Sequence, residues 1–340
     1  MKSMRPICAF TIAIGAQAQT QANLLRRTFD TFHSDIPFII LRDEDFVIFT
    51  GQEKFQRVCE IIGLRALAGF FLSFYFEKVL HMDSDMVVFN RLEALLETEK
   101  DVILTHDIPG CTMGPIDCPK INSGVVLAKD PDFWLQWAAS IYSIAFPMLN
   151  TIGDQFALRL MAKNGSYSLL DEIEQRVSYN NVALSAPGDY LVRDQKVWHG
   201  DYELKAYHWA GQPTRDLSVF PDDIINYVGN LRGDKTKVKR DNDLSKALFD
   251  SARDYFFHKF KDFMANLPIM AHGDKWLEYY YKLTPGIMWS FAPKGLEAFR
   301  KEPDGNLERR VEPEGNYHYY VDPVLLNNSE RLSNSNQNAF

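Results

Sequence analysis

The sequence predicts an α/β domain with a mostly parallel sheet, helices on both faces, and a helical extension towards the C-terminus. Two observations lead to this prediction. Up to about residue 215, short β-type runs alternate with helical stretches of roughly 10–15 residues, the pattern of βαβ units around a parallel sheet. Beyond that point strand signals fade, and aromatic-rich helical stretches follow. The 340 residues are enough for one large domain with an appendage.

The composition narrows the classes of protein open to this chain. With 46% apolar and 24% charged residues, it is an ordinary globular chain. The net charge of −8 argues against nucleic acids and anionic membranes as partners, because both attract an excess of Lys and Arg. The four cysteines form neither a Cys-x-x-Cys pair nor a zinc pattern. They are expected to be reduced, which predicts a cytoplasmic location.

The N-terminal segment MKSMRPICAFTIAIGAQAQ has two interpretations. Early positive charges, an apolar run and an Ala-Gln-Ala triplet together imitate a secretory signal peptide. The same run, Ile7 to Ile14, also has the composition of a buried first strand, with a helix following from about Gln19 to Phe32. We favour the strand, because cleavage would remove the natural first strand of the domain. No run of about 18 or more apolar residues occurs, so no transmembrane segment is expected.

The remaining elements follow in order. Further strands are expected at 36–41, 78–83 and 101–106, and helices at 65–76 and 91–99. Asp130-Pro131 predicts a helix start, since Asp can cap a helix and Pro is tolerated in its first turn. That helix should run to about Ser143, and another should lie between residues 154 and 165. Two later helical runs, 245–267 and 274–283, precede a polar tail that is expected to be partly disordered.

Asp83 and Asp85 stand in the segment KVLHMDSDMVVF, where an apolar strand leaves the sheet. Carboxylates are rarely buried unless something compensates their charge. A divalent cation would do so, since Mg²⁺ and Mn²⁺ accept one or two carboxylates together with water and phosphate oxygens. Ligands of open α/β sheets also bind at the carboxyl ends of the strands. Taken alone, however, a D-x-D triplet is more often a surface loop.

Further motifs follow the acidic pair in a set order: INSGVVLAKD, GDQFALRL, SYNNV and AYHWAGQP. In this order the chain resembles the GT-A glycosyltransferases, and within them the glycogenin-like and bacterial galactosyltransferase-like family 8. The resemblance covers roughly Ile7 to Arg215. It implies a Rossmann-like GT-A catalytic domain that binds a nucleotide sugar at 1–215. The chain would then continue with a helical region at 216–300, for acceptor binding or oligomerisation, and a polar tail at 301–340.

The resemblance also implies an activity and a set of site residues. The reaction would transfer a sugar from a nucleoside-diphosphate sugar, with UDP-sugar as the expected donor, to an acceptor hydroxyl, with retention of configuration. Mn²⁺ or Mg²⁺ would be held by Asp83, Asp85 and His208, and the catalytic residues facing the donor sugar would be Asp154 and Gln155. The other donor contacts would come from Ala13, Ile14, Gly15, Gln17, Arg65, Ser84, Asn122, Ser123, Gly211 and Arg215.

The sequence departs from this family in two places. The loop after the first strand, AIGAQAQTQ, lacks the aromatic residue that stacks on uracil, which leaves the nucleotide base open. Thr214 stands where the family often has a phosphate-binding Lys, with Arg215 beside it. The acceptor is open as well: a glycan or another hydroxyl-bearing molecule is expected. A homodimer is one use for the aromatic C-terminal helices.

Other interpretations compete with this one. Asn122-Ser123-Gly124 could form a plain turn, His208 could be a core histidine, and Arg65 could be a solvated helix residue. A haloacid-dehalogenase-like phosphatase shares a D-x-D start, but its nucleophile closes the first strand of the domain, which here lies far earlier. A non-catalytic nucleotide-sugar-binding protein is the third class, and the intact D-x-D argues against it.

Overall fold

The structure is a computed structural model that describes residues 5–42, 54–106, 121–143, 154–162, 167–170, 172–182, 190–210, 217–231, 298–301 and 307–310. The helices of this part of the chain are α1 (Ala16–Phe32), α2 (Lys54–Leu72), α3 (Glu93–Leu96), α4 (Pro131–Ser143), α5 (154–162), α6 (Glu172–Gln175) and α7 (Asp222–Asn230). The strands are β1 (Arg5–Ala13), β2 (Phe38–Arg42), β3 (Phe76–Met82), β4 (Met86–Val88), β5 (Val102–His106), β6 (Ile121–Ala128), β7 (Ser168–Leu169), β8 (Val177–Ser178), β9 (Asn181–Val182), β10 (Tyr190–Arg193), β11 (Lys196–His199), β12 (Tyr202–Leu204), β13 (Ala206–His208), β14 (Ala298–Lys301) and β15 (Leu307–Arg310).

A six-stranded sheet in the order β2-β1-β3-β6-β5-β7 forms the centre of the fold. β1 runs parallel to β2 and β3, and β5 runs parallel to β7. β6 is reversed and pairs antiparallel with both β3 and β5. The predicted α/β architecture with a mostly parallel sheet is therefore confirmed, and β6 makes the sheet mixed. Because β6 is reversed, its first residues lie beside the carboxyl end of β3.

Helices cover both faces of this sheet. Alternate residues of a strand point to opposite faces, and in β1 Phe10 packs in the cluster of α2 and α4, whereas Ala9 packs in the cluster of α1. The helices α2 and α4 approach closely at Gly69, where an added Cβ would lie 2.3 Å from the ring of Trp134. Glycine at this position therefore lets the large indole pack directly against the backbone of α2.

Two smaller sheets and α7 extend the domain beyond the central sheet. One has the strand order β4-β13-β9, and the other has the order β10-β11-β12-β8. A separate apolar cluster contains Ile224 of α7 together with Phe89, Tyr207, Trp209 and Phe220. The pairing of β13 with β4 brings the chain back to the exit of β3, although about 120 residues separate the two segments.

Most of the expected elements have the expected type. β1 confirms the strand interpretation of the N-terminal run, and α4 spans the predicted range. The helix expected at 65–76 is wrong at both ends, because α2 runs from Lys54 to Leu72 and the aromatic Phe76 begins β3. The helix expected at 91–99 is also too long, because α3 covers only one turn, Glu93–Leu96.

The C-terminal part of the chain is described only in places. The expected helical runs at 245–267 and 274–283 lie outside the described residues. An antiparallel hairpin of β14 and β15 crosses the boundary expected near residue 300, and the division into three regions stays a prediction. In the part of the chain that the structure describes, no helix combines the length and the apolar character needed to span a bilayer.

Candidate active site

Three chain segments meet at one edge of the central sheet and carry the polar side chains of the site. The turn after β3 contacts the start of β6, where the backbone N–H of Asp83 donates to the carbonyl oxygen of Gly124 at 2.8 Å. The end of β13 contacts the same turn, where the N–H of Trp209 donates to the carbonyl oxygen of Asp85 at 3.0 Å. These backbone bonds bring His208, the last residue of β13, next to the acidic pair.

Asp83, Asp85 and His208 form a group that could hold a metal ion. One ligand atom from each residue lies within 4.8 Å of the other two. The Nε2 atom of His208 is 3.3 Å from Oδ1 of Asp85 and 3.4 Å from Oδ2 of Asp83. Asp85 and His208 are buried, and the side chain of Asp83 is 17% exposed. The two carboxylates suit Mn²⁺ or Mg²⁺, and the imidazole favours Mn²⁺ over Mg²⁺, which prefers oxygen ligands.

The charges around this group also fit a divalent ion. Asp83, Asp85 and Asp154 contribute three carboxylates, and Arg65 contributes one guanidinium. The Nη1 atom of Arg65 lies 2.9 Å from Oδ1 of Asp83 and 2.6 Å from Oδ2 of Asp154. With a neutral His208 the cluster therefore has two excess negative charges. Bound Mn²⁺ or Mg²⁺ would balance them, and this would compensate the burial of the carboxylates.

The pKa values of the cluster respond to burial and to these charges. Burial raises the pKa of Asp83, and the nearby charges of Arg65 and His208 only partly oppose this effect. Burial is the largest single influence on His208 and would lower its pKa, but the carboxylates of Asp85 and Asp83 together outweigh it and the pKa is raised. Behind the site, burial and the charge of Arg65 hold the pKa of His81 well below its usual value. In the metal-free cluster the carboxylates therefore favour the protonated form of His208, whereas burial favours the neutral form of His81.

Asp154 is held at the first turn of α5, beside the acidic pair. Its Oδ2 atom accepts a hydrogen bond of 2.8 Å from the hydroxyl of Ser123, in addition to the contact with Arg65. Its backbone carbonyl accepts a hydrogen bond of 3.0 Å from the indole N–H of Trp137. Gln155 follows on the same helix and is also buried. The structure thus places both predicted catalytic residues at this edge of the sheet, and their roles stay predictions.

A buried amide network supports His208 from behind. The Nδ1 atom of His208 lies 3.0 Å from Oδ1 of Asn180. The Nδ2 atom of Asn180 donates to Oδ1 of Asn122 at 2.9 Å and to Oγ1 of Thr105 at 3.1 Å. The sequence alone predicts no role for Asn180 or Thr105. The segment SYNNV resembles the Tyr/Phe-Asn pair of the family at Tyr179-Asn180, but the resemblance gives neither residue a contact.

The remaining predicted donor contacts lie on the neighbouring strand exits. β1 ends at Ala13 in parallel with β3, so the residues that follow leave the sheet at the same edge as the acidic pair. Gly15 is the N-cap of α1 and has a φ of 86°, which favours glycine. The expected residues on these two exits comprise Ala13, which is buried, Ile14, Gly15 and Ser84, which are partly buried, and Gln17, which is exposed. The expected residues Gly211 and Arg215 lie outside the described residues.

Comparisons with known proteins find similarity at the level of structure only. No protein-family model matches the chain. No curated protein matches its sequence either.

Three solved structures illustrate the matches. A glycosyltransferase involved in the glycosylation of the major capsid of PBCV-1 is 13% identical, with 61% of this chain and 95% of that chain covered and a TM-score of 0.39. The galactosyltransferase LgtC, in complex with donor and acceptor sugar analogs, is 16% identical, with 68% and 97% covered and a TM-score of 0.39. The glycosyltransferase GlyE of Streptococcus pneumoniae TIGR4 is 19% identical, with 50% and 46% covered and a TM-score of 0.32. All three are glycosyltransferases, and at these TM-scores the likeness carries no argument about the donor, the acceptor or the reaction of this chain.

Proposed function

We propose that this chain is a metal-dependent glycosyltransferase that transfers a sugar from a nucleoside-diphosphate sugar to an acceptor hydroxyl. The observation that carries the proposal is the grouping of Asp83, Asp85 and His208 within 4.8 Å at the carboxyl end of β3. His208 follows the two aspartates by about 120 residues in the chain, and the resemblance of the motifs implies that all three bind one metal ion. The adjacent Arg65 and Asp154 extend the same polar cluster.

The metal ion in this proposal is Mn²⁺ or Mg²⁺, bound by Asp83, Asp85 and His208. When bound, such an ion supplies a Lewis acid for the negative charge that develops on the diphosphate leaving group. Arg65 would add a second positive charge on the same side of the leaving group. Its contacts with Asp83 and Asp154 restrict its rotamers, so its charge stays in place before a substrate arrives.

The donor sugar would lie between the acidic turn and the start of α5. The contacts of Asp154 with Arg65 and Ser123 both use Oδ2, so Oδ1 is the oxygen available to a sugar hydroxyl. The oxygen of Asn122 is engaged by two N–H groups, so its amide nitrogen would donate to the sugar. Gln155 and Ser84 would complete this part of the site, which orients the sugar for attack from one side.

The nucleoside would bind at the exit of β1. Ala13, Ile14 and Gly15 would offer backbone groups there, and Gln17 would contact the base from the exposed side of α1. Uridine as the base, retention of configuration, and phosphate contacts from Gly211 and Arg215 are parts of the proposal that rest on the resemblance of the motifs. The acceptor in this proposal is a glycan or another hydroxyl-bearing molecule.

The proposal includes a cytoplasmic location with reduced thiols. Cys8 is a buried free cysteine in β1, and burial raises the pKa of its thiol well above the usual value. A thiol of this kind is unreactive at neutral pH, so Cys8 is best explained as a small apolar core residue.

The phosphatase interpretation fits the site less well. In that class the first aspartate acts as a nucleophile at the end of the first strand, and a histidine at position 208 has no role. Here the D-x-D turn follows β3, and the Nε2 atom of His208 is within 3.4 Å of both carboxylates. We therefore retain the transferase as the proposed function.

The decisive experiment is an Mn²⁺ titration of nucleotide-sugar hydrolysis, because hydrolysis identifies the donor without the acceptor. Wild type should hydrolyse one of a panel of nucleotide sugars only when Mn²⁺ or Mg²⁺ is present. His208→Ala should shift the metal midpoint by about tenfold or more, as expected for a lost ligand. His199→Ala is a suitable control, since His199 stacks on Tyr190 in the small β10–β11 sheet. A metal midpoint that does not differ between wild type and His208→Ala would remove His208 from the site.

A further inference from the structure

Asn180 is fully buried between β8 and β9 and uses its whole side-chain amide inside the protein. Its nitrogen contacts Asn122 and Thr105, at 2.9 and 3.1 Å. Its oxygen lies 3.0 Å from Nδ1 of His208. The amide therefore connects the start of β6 and the end of β5 to the histidine of the proposed metal site.

The surrounding hydrogen bonds determine which way this amide points. The backbone N–H of Gly124 donates to Oδ1 of Asn122 at 2.8 Å, so that oxygen is an acceptor. The hydroxyl of Thr105 donates its single proton to the carbonyl of Val125 at 3.2 Å, so its oxygen is also an acceptor towards Asn180. Both neighbours require N–H donors. A flipped amide would place its oxygen against two acceptors and bury two N–H groups without acceptors, at a cost of about 1–3 kcal/mol each.

With this orientation, Asn180 presents an oxygen to His208. An amide oxygen has no proton to give, so the proton of the hydrogen bond must be on Nδ1 of His208. A neutral ring that keeps this hydrogen bond has its lone pair on Nε2, whereas a protonated ring also donates from Nε2 to the carboxylates. That nitrogen is the one that lies 3.3 Å from Asp85 and 3.4 Å from Asp83.

We propose that Asn180 is a positioning residue that holds His208 in the Nδ1–H tautomer, so that Nε2 is ready to bind a metal ion beside Asp83 and Asp85. The proposal rests on the proposed function for the identity of the ligand. It does not depend on the donor, the acceptor or the stereochemistry. The partner of a metal-binding imidazole typically affects metal affinity by about 10–100-fold, because it sets both the tautomer and the ring orientation.

The adjacent Asn181 provides a matched control. It is as deeply buried as Asn180, but its amide contacts His199 at 3.4 Å and the hydroxyl of Tyr190 at 3.4 Å. An alanine at either position removes a buried asparagine from the same segment. A loss of metal affinity that is specific to Asn180→Ala therefore reports on His208, and a loss common to both variants reports on packing.

The experiment has two readouts on the full-length protein without donor. Selective ¹⁵N labelling of histidine, with His208→Ala to assign the signal among the eight histidines, shows which nitrogen of His208 is protonated in the metal-free protein at a pH where the ring is neutral. Calorimetric titration with MnCl₂ gives the dissociation constant of the metal. Both are measured for wild type, Asn180→Ala, Asn180→Asp and Asn181→Ala.

Wild type and Asn181→Ala should show the Nδ1–H tautomer and bind Mn²⁺ equally well. Asn180→Ala should lose the preference for Nδ1–H and bind Mn²⁺ about 10–100-fold more weakly. Asn180→Asp keeps an oxygen towards His208 and should keep the Nδ1–H tautomer, at a cost in stability because its second oxygen faces the acceptors of Asn122 and Thr105. The tautomer of wild type tests the proposal whether or not either variant folds.

An Nε2–H tautomer in wild type or in Asn180→Asp would overturn the proposal. So would an Asn180→Ala protein that retains either the Nδ1–H tautomer or the wild-type affinity for Mn²⁺. If wild type binds no Mn²⁺ and the tautomers follow the expectation, the proposed function loses its metal. The positioning of His208 by Asn180 is supported in that case, so the two failures can be told apart.

Discussion

Replacement of Gly124 by alanine should displace His208 from the proposed metal site. A Cβ at position 124 would lie 2.5 Å from Nδ1 and 2.6 Å from Cε1 of His208, and 2.9 Å from Oδ1 of Asn122. Contacts below 3.0 Å are essentially never seen for a real Cβ, and ordinary contact begins at 3.4 Å. The imidazole would therefore have to retreat by about 0.9 Å, the difference between 2.5 and 3.4 Å. Gly124 does not have a positive φ, so the expected effect is steric and does not come from backbone strain.

The size of the effect follows from what holds the ring. His208 is buried, with Asn180 at 3.0 Å on one side and the carboxylates at 3.3 and 3.4 Å on the other. A shift of about 0.9 Å must break at least one of these contacts. Overpacking of this kind typically costs about 1–3 kcal/mol of folding stability. The displaced ring should lower Mn²⁺ affinity by about 10–100-fold, as for other losses of a supporting contact.

Urea unfolding and calorimetric MnCl₂ titration measure the two effects. Gly229→Ala is the control, because Gly229 lies near the end of α7 and nothing stands within 4 Å of an added Cβ. That variant should bind Mn²⁺ as wild type does and gain at most about 1 kcal/mol from helix propensity. If Gly124→Ala kept both the stability and the Mn²⁺ affinity of wild type, His208 could not be packed against Gly124, and the geometry described for the site would be wrong.

Three further predictions concern charges. Asp85→Asn should reduce turnover by about 10²–10³ and weaken metal binding, whereas Asp201→Asn, an exposed partner of Arg176, should change neither; normal turnover of Asp85→Asn would show that Asp85 is not a ligand. Mn²⁺ affinity should fall as pH decreases, starting above pH 6.5, because the pKa of His208 is raised and protons compete with the metal for its ring. The same dependence of Mn²⁺ affinity on pH in His208→Ala would contradict this prediction. Burial raises the pKa of Glu172 from 4.5 to about 8. Because the unfolded state releases this proton at a lower pH than the folded state does, the free energy of unfolding should decrease by a few kcal/mol from pH 5 to pH 8. Urea unfolding at both pH values should show this decrease in wild type and not in Glu172→Gln.

The parts of the fold that the sequence predicted well are those with a local signal. The apolar run at the N-terminus and the Asp130-Pro131 helix start correspond to β1 and α4. The direction of β6 was not predictable, because all eight of its residues are buried and an apolar run carries no information about parallel or antiparallel pairing. The end of α2 was missed for a related reason, since the aromatic run FFLSFYF suits a buried helix as well as a buried strand.

The site shows the same division between local and distant signals. Asp83 and Asp85 were identifiable because two carboxylates in an apolar strand exit need compensation. Gly124 carried a weaker signal, since glycine within a strand often marks a close approach of another group. Asn180 lies in the motif SYNNV, but its role was not predictable, because it depends on Thr105, Asn122 and His208, which three other segments bring to it.

Charge compensation connects the stability of this site with its proposed chemistry. Arg65 alone cannot neutralise Asp83, Asp85 and Asp154, and in the absence of metal the carboxylates favour a proton on His208 as a second positive charge. A divalent ion would replace that proton at Nε2 and neutralise the cluster. The same nitrogen would therefore bind a proton in the metal-free state and the ion in the metal-bound state. Asn180 contributes to both states, because its oxygen accepts the Nδ1 proton whether Nε2 binds a proton or a metal ion. The two aspartates are thus tolerated at the exit of β3 for the same reason that they suit a diphosphate-binding metal. Beyond the charge of Arg65, the cluster has room for two positive charges, and the exchangeable proton of His208 supplies only one of them.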